Sequence, residues 1–314
     1  MDKIKEINKF LKDNIKTNDT LILACSGGPD SMCLLDLLLK FREKNNINIV
    51  IAHVHHNVRK ESDDELVFVR DYALKNNVTF ETMKIDNYSG SNFECEARDK
   101  RYTYFGKLIK KYGAKYLLTA HHGDDLMETI LMRMVRGSNL KGYSGFDRVS
   151  DQEKYKVLRP LVMMTKSEIL KYNKENKIPY VNDYTNELDV HTRNRYRKNI
   201  LPILKREDKN IHLKFLKYSN TLQEYYNYIE DIAREKIEKN YQNYTINIDI
   251  FNKEHPFMKK NIVFYILSNI YDNKANIIKD KHILDIIKLS LSNKPNQEIN
   301  LPNNRSEEHT SELQ

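Results

Sequence analysis

The sequence predicts an α/β protein: a doubly wound parallel sheet followed by a small, mainly helical domain. Two observations carry the first part. Short aliphatic or β-branched runs alternate with longer segments whose apolar residues recur three and four apart, and a glycine loop directly follows the first run. A third observation carries the second part, where apolar helical faces replace the strand-and-helix cadence after about Phe215.

The predicted strands are Thr20 to Cys25, Ile47 to His53, Val78 to Ile85 and Lys115 to Thr119. The segments between them have helical spacing, as at Leu34, Leu35, Leu38 and Leu39. Such sheets bind ligands beyond the carboxyl ends of their strands, so chemistry is sought just after each run. In the second part, Leu222, Tyr225, Tyr226, Ile229, Ala233 and Ile237 form one helical face. Ile246, Ile248 and Ile250 alternate as in a strand, and Ile283, Ile286, Ile287 and Leu289 give a further helix. Gln297 to Asn304 reads as a strand and a turn. The expected organisation is an α/β domain over 1–212, with a basic connector over 191–214 that Asn199 to Pro202 closes, and a mainly helical domain over 215–304.

Composition bounds the rest. At roughly 150 residues per domain, 314 residues make about two domains. With 40% apolar residues each can bury a core, which excludes disorder throughout. The longest apolar run is the six residues Ile262 to Leu267, whereas a membrane span needs about 20. A soluble, cytoplasmic chain without a membrane partner is therefore expected. Cys25, Cys33 and Cys95 are odd in number and form no C-x-x-C pair, so reduced thiols are expected. The last ten residues, Arg305 to Gln314, read as the in-frame translation of a sequencing adapter and are set aside as an artefact, the natural chain being expected to continue beyond Asn304. Without the tail's one arginine and three glutamates, the net charge rises from +8 to +10. Residues 191–214 hold eight basic and two acidic residues, a local +6, which suits either a solvated face or phosphate contacts, and Tyr196 adds a stacking surface.

The residues after the first strand are Ser26, Gly27, Gly28, Pro29, Asp30 and Ser31. Two glycines permit close backbone approach, and the following helix start points amides and a partial positive charge at an anion. No lysine follows the glycines, so this is not a Walker-type loop. Ser-Gly-Gly-x-Asp-Ser resembles the pyrophosphate loop of the N-type ATP pyrophosphatases, the PP-loop superfamily with an adenine-nucleotide-α-hydrolase-like fold. These enzymes cleave ATP between its α and β phosphates to adenylate a substrate.

Further motifs narrow the resemblance. His53, Val54, His55, His56, Asn57, Val58 and Arg59 follow the second strand, where the residue types alone would suit metal, phosphate or plain exposure. Arg98 and Arg101 lie three apart on a helical face. His121, His122, Asp124, Asp125 and Glu128 follow the fourth strand, with Asp125 and Glu128 spaced to share one helix face. Such carboxylates can hold Mg²⁺, take a proton from an amine or bind an ammonium group. With Arg136-Gly137-Ser138, Arg159-Pro160-Leu161, Asn182 to Asn186 and Arg193 to Arg197, the ensemble resembles tRNA(Ile)-lysidine synthetases over about residues 20–290. Asn182 departs from that pattern, which has an acidic residue there.

The resemblance implies an enzyme that uses ATP and Mg²⁺ to join free L-lysine to C2 of the first anticodon cytidine of tRNA(Ile) with anticodon CAU. It implies that Ser26 to Ser31 bind the pyrophosphate and that His53 and Val54 lie against the adenosine. Asp30, Arg98, Asp125 and Glu128 would be catalytic, with Asp125 and Glu128 the candidate Mg²⁺ ligands, and Arg193, Arg195 and Arg197 would face the tRNA. A homodimer is left open. The rival readings are a tRNA thiolase, which commonly uses paired cysteines, a small-molecule adenylating ligase, and a tRNA-binding protein without activity.

Overall fold

The computed structural model describes residues 2–55, 61–85, 93–181, 192–242, 245–271, 277–292, 294, 297–302 and 305–309. The chain divides into two compact units, Met1–Leu222 and Gln223–Gln314.

In the first unit, α1 (Lys3–Asn14) precedes β1 (Thr20–Ala24), α2 (Pro29–Asn45), β2 (Asn48–His55), α3 (Glu61–Lys75), β3 (Thr79–Lys84), α4 (Phe93–Tyr112), β4 (Tyr116–Leu118) and α5 (Gly123–Arg136). There follow α6 (Leu140–Tyr143), β5 (Val149–Asp151), β6 (Lys156–Leu158), a 3₁₀ turn (Pro160–Met163) and α7 (Lys166–Glu175). The strands make one sheet in the order β3-β2-β1-β4-β6-β5. All neighbours are parallel except β5, which runs antiparallel to β6 at the edge. The doubly wound parallel sheet expected from sequence is present, with β5 added as an antiparallel edge strand. β5 (VSD) and β6 (KVL) are short and carry charged residues, so neither leaves a period or an aliphatic run in the sequence.

Helices cover both faces. Leu21, Ile22 and Leu23 of β1 are all fully buried, as a strand covered on both sides requires. Leu21 and Leu23 pack with Leu11 of α1, Leu34, Leu35 and Leu38 of α2 and Ile169 of α7. Ile22 faces the other way, towards Phe105, Leu108 and Ile109 of α4. Each such side chain contributes about 1.5–3 kcal/mol of hydrophobic stabilisation. Because β1 lies between β2 and β4, the order reverses between β1 and β4, and the crevice beyond their carboxyl ends is where such sheets bind ligands.

After α7 the chain resumes with α8 (Thr192–Arg195), a π-helical turn (Tyr196–Ile200) and α9 (Leu201–Glu207). Pro202 therefore opens α9, where its missing N–H is harmless, and does not end the basic segment as the sequence suggested. The unit boundary falls within α10 (Ile211–Asn240) and not near 212–215, because Leu213, Phe215 and Leu216 still pack in the first unit's core.

The second unit holds the rest of α10, a two-stranded ribbon β7 (Tyr241–Gln242) and β8 (Thr245–Ile246), α11 (Ile248–Lys253), α12 (Pro256–Ile270), α13 (Asp280–Ser290), and a second ribbon of β9 (Gln297–Leu301) with β10 (Arg305–His309). The strand expected over Ile246 to Ile250 is corrected: Asn247 accepts the Ile250 amide and starts a helix that buries Phe251. Tyr225, expected on a buried face, is exposed, whereas Ala233 and Ile237 of that face are buried. The β9–β10 pairing is a backbone property, since an open edge strand accepts any extended segment.

Candidate active site

The chain leaves β1 through Cys25, whose amide still donates to Ala52 of β2, and enters the glycine loop. Gly27 has φ +87°, a conformation that side chains rarely adopt, and a Cβ there would lie 2.9 Å from Val69 Cγ2. Gly28 caps α2 without a side chain, and Pro29 starts the helix with a preset φ. Ser31 donates its hydroxyl to the Gly28 carbonyl at 3.0 Å, and Ser26 Oγ accepts the Gly28 amide at 3.3 Å. The arrangement is an open cradle of amides and hydroxyls before a helix N-terminus, suited to an anion.

His53, at the end of β2, is buried, with Nδ1 3.0 Å from the Cys25 carbonyl. Burial pushes its protonation below the ordinary histidine range, so the neutral ring donates that bond. It braces the start of the loop, while Val54 packs partly buried on the α4 face of the sheet. His55 pairs with Asp63 at 3.0 Å. His56 to Arg59, and Asn182 to Asn186, lie outside the described residues.

Beyond β4 the charges are dense. His122 caps α5 by accepting the Asp125 amide, and Asp125 Oδ2 accepts the His122 amide in return at 3.0 Å. His122 Nε2 lies 3.5 Å from Asp125 and 3.9 Å from Asp30, so one buried ring spans the two strand-end loops. Glu128 is fully buried. Arg193 donates from Nη2 to Asp125 at 2.9 Å and from Nε to Glu128 at 2.6 Å, and Arg197 donates from Nε to Glu128 at 2.8 Å. Burial pushes the Asp125 carboxyl up, but His122, whose ring and amide both lie against it, and the Arg193 guanidinium outweigh that and hold the group well below the usual carboxylate range. Burial also pushes His121 down to about 4, so its ring, 2.9 Å from Thr119 Oγ1, is neutral.

The structure therefore sets two residues expected on the tRNA side, Arg193 and Arg197, against the two carboxylates expected to hold Mg²⁺. Two guanidinium groups balance two carboxylates, and that donor set does not fit a divalent cation as it stands. Among the described residues no cluster of three or more His, Cys, Asp or Glu has metal-holding geometry. Arg195 is exposed and, among the described residues, donates to Thr192 Oγ1 at 3.3 Å. Arg98 is exposed on α4 over the Tyr102 ring, close enough to His121, Arg133 and Arg159 to disfavour their protonation. Asp124 accepts from Lys205 Nζ at 2.6 Å and from the Lys166 amide at 3.1 Å, which ties α5 to α9 and α7.

Sequence reasoning missed Lys166 and Lys205. Lys166 Nζ lies 2.7 and 2.8 Å from the two Asp30 oxygens. The T-K-S-E capping box locates its helix start but not a partner 136 residues away. Cys25 and Cys33 are buried and burial raises both thiols, Cys33 to about 12, so neither is primed as a nucleophile. Among the described residues no helix is long and apolar enough to cross a membrane.

Comparison with known proteins agrees with this geometry. Residues 1–204 match the family model described as a PP-loop domain. A tRNA(Ile)-lysidine synthase of Bacillus cereus is 36% identical over 95% of this chain and 66% of its own length. The bifunctional protein TilS/HprT of Listeria monocytogenes serovar 1/2a is 31% identical over 95% of this chain and 48% of its own. The chain thus spans just under two thirds of the first relative and about half of the second. Among solved structures, the U34-tRNA thiolase NcsA from Methanococcus maripaludis matches with a TM-score of 0.59 at 17% identity, over 71% of this chain and 79% of that one, a likeness of fold. The glycine cradle, the strand order and the match over 1–204 agree, and the chain belongs to the PP-loop family.

Proposed function

We propose that this chain carries the catalytic part of a tRNA(Ile)-lysidine synthetase, joining L-lysine to C2 of the first anticodon cytidine of tRNA(Ile) with anticodon CAU and releasing AMP and pyrophosphate. The observation that carries the reading is the pairing of an anion cradle with a carboxylate crevice at adjacent strand ends, in a chain 36% identical over 95% of its length to a protein of that name.

The cytosine O2 is a poor leaving group. Attack of O2 on the α phosphate of ATP releases pyrophosphate and leaves an O2-adenylated base, from which AMP can depart. Ser26, Gly27, Gly28, Asp30 and Ser31 form the cradle that receives the pyrophosphate. Arg98 would steady the phosphates or the adenylate. The lysine ε-amine then attacks C2 and must be deprotonated, although its free pKa is about 10.4. Asp125, held below the usual range, orients the incoming ammonium, which loses one proton to water before its nitrogen attacks C2 and a second after the C2–O bond breaks and AMP leaves. That cation must exchange with, or sit beside, Arg193, whose guanidinium occupies the crevice. Mg²⁺, where it accompanies ATP, would neutralise phosphate charge. The cytidine lies in a single-stranded loop, so it can be splayed and stacked without melting a duplex. The second unit is read as a tRNA-binding module, and the protein as soluble and cytoplasmic.

The test mixes tRNA(Ile) CAU transcript, ATP and labelled lysine with the protein. Label should enter the tRNA together with AMP release. No incorporation sinks the reading, and AMP release without tRNA would point to a small-molecule adenylating ligase.

A further inference from the structure

This inference rests on the reading that the loop takes a nucleotide's phosphates. The loop 26–31 supplies amides and hydroxyls but no cation of its own. In phosphoryl transfer most of the catalysis comes from positioning and from neutralising developing charge, and a cation at the cradle serves both. α7 brings one there. Lys166, its first residue, sits against both oxygens of Asp30 at 2.7 and 2.8 Å. The two side chains keep 35% and 29% of their surface exposed, so the ammonium can gain a further partner. It has three donors, and Asp30 can be satisfied by one or two of them.

The placement is built and not incidental. The Lys166 amide is anchored on Asp124, and the Thr165–Glu168 capping box fixes the helix start. Asn173 of α7 donates to the Pro29 carbonyl at 2.8 Å, Tyr172 donates to Asp36 of α2 at 2.6 Å, and the Val181 amide donates to the Gly27 carbonyl at 3.0 Å. α7 and the segment after it are therefore fastened to the loop and to α2 by contacts that do not involve the Lys166 ammonium. Arg193 and Arg197, by contrast, are engaged with Asp125 and Glu128.

We propose that Lys166 is a polyphosphate-binding residue of this site. Asp30 holds its ammonium beside the cradle, where it contacts the phosphoryl oxygens of a nucleoside triphosphate and then the pyrophosphate that leaves. α7 thus supplies the lysine that a Walker-type loop carries within itself.

The test uses inorganic pyrophosphate as the probe, titrated calorimetrically into the full chain without tRNA or lysine. Lys166→Gln should weaken pyrophosphate binding about 10- to 100-fold, the loss of one charge-assisted contact. Lys166→Arg should stay within about threefold of the parent, since a point charge suffices at a phosphate. Both variants should melt with the parent, and in turnover Lys166→Gln should raise KM for ATP more than KM for lysine. Unchanged pyrophosphate affinity in Lys166→Gln, equal loss in Lys166→Arg, or loss of the fold in both overturns the assignment, the last by making Lys166 structural. A parent chain that binds no pyrophosphate overturns this inference and the nucleotide reading together. One that binds it through Lys166 yet forms no lysidine leaves Lys166 in place and overturns only the substrate class.

Discussion

The loop after β1 and the crevice after β4 stand at the carboxyl ends of adjacent strands, yet they are built by opposite means. The loop is backbone: two glycines, a φ of +87° and two serine hydroxyls shape it, and its charge comes from Lys166 on α7. The crevice is side chain: Asp125 and the fully buried Glu128 are bound by Arg193 and Arg197, which the chain brings back 65 to 69 residues later. Local conformation determines the first and long-range charge pairing the second. Sterics should break one, and charge removal the other.

The largest effect is expected in the crevice. Glu128→Gln keeps the shape of a fully buried side chain but leaves two guanidinium groups with Asp125 as their one described anion. Breaking a buried ion pair from one side costs about 3–5 kcal/mol. Here the lower end, about 3 kcal/mol, is expected, because Arg193 and Arg197 keep 42% and 36% of their side-chain surface and can be partly rehydrated. Denaturant unfolding should show a lower midpoint with an unchanged slope. A loss below about 1 kcal/mol would mean that the arginines do not depend on Glu128.

The matching insult to the loop is Gly27→Ala. The new Cβ meets Val69 Cγ2 at 2.9 Å, and the residue must hold a left-handed φ, together about 2 kcal/mol. Pyrophosphate affinity should fall by at least about tenfold, since amides displaced by a fraction of an ångström lose their aim. Glu128→Gln, in contrast, should leave pyrophosphate affinity near that of the parent. If Gly27→Ala loses stability but binds pyrophosphate normally, the cradle lies elsewhere.

The same contrast explains what could be read from the sequence. The loop was legible because its residues are contiguous and glycine has a specific conformational use, and β1, β2 and β4 because buried parallel strands are aliphatic runs. Asp125 and Glu128 were legible as a pair through helical spacing alone. Their partners were not. The basic segment 191–214 invites a single role as a phosphate-facing surface, but folding turns Arg193 and Arg197 to Asp125 and Glu128, and Lys205 to Asp124. Periodicity carries no information on which carboxylate lies opposite a given cation, and the same gap concealed Lys166 from Asp30. Ile246 to Ile250 misled for a local reason, since an alternation of three isoleucines is too short to outweigh the helix cap at Asn247.

Arg195 supplies the smallest effect and the sharpest control. It lies between Arg193 and Arg197 in sequence, yet it is exposed and its one described partner is Thr192 Oγ1 at 3.3 Å. Arg195→Ala should change stability by no more than about 0.5 kcal/mol. Pyrophosphate binding should not change, because the side chain is engaged with neither the loop nor the crevice carboxylates. Its effect should fall on tRNA: a phosphate-contacting arginine, once removed, weakens binding similarly across tRNA sequences and lowers the slope of log affinity against log salt by about one. Arg193→Ala, measured alongside, should instead destabilise the fold by leaving Asp125 and Glu128 undercompensated. Equal loss of stability in the two variants would dissolve the distinction between inward and outward arginines, and with it the division of the 191–214 segment between the crevice and the nucleic acid.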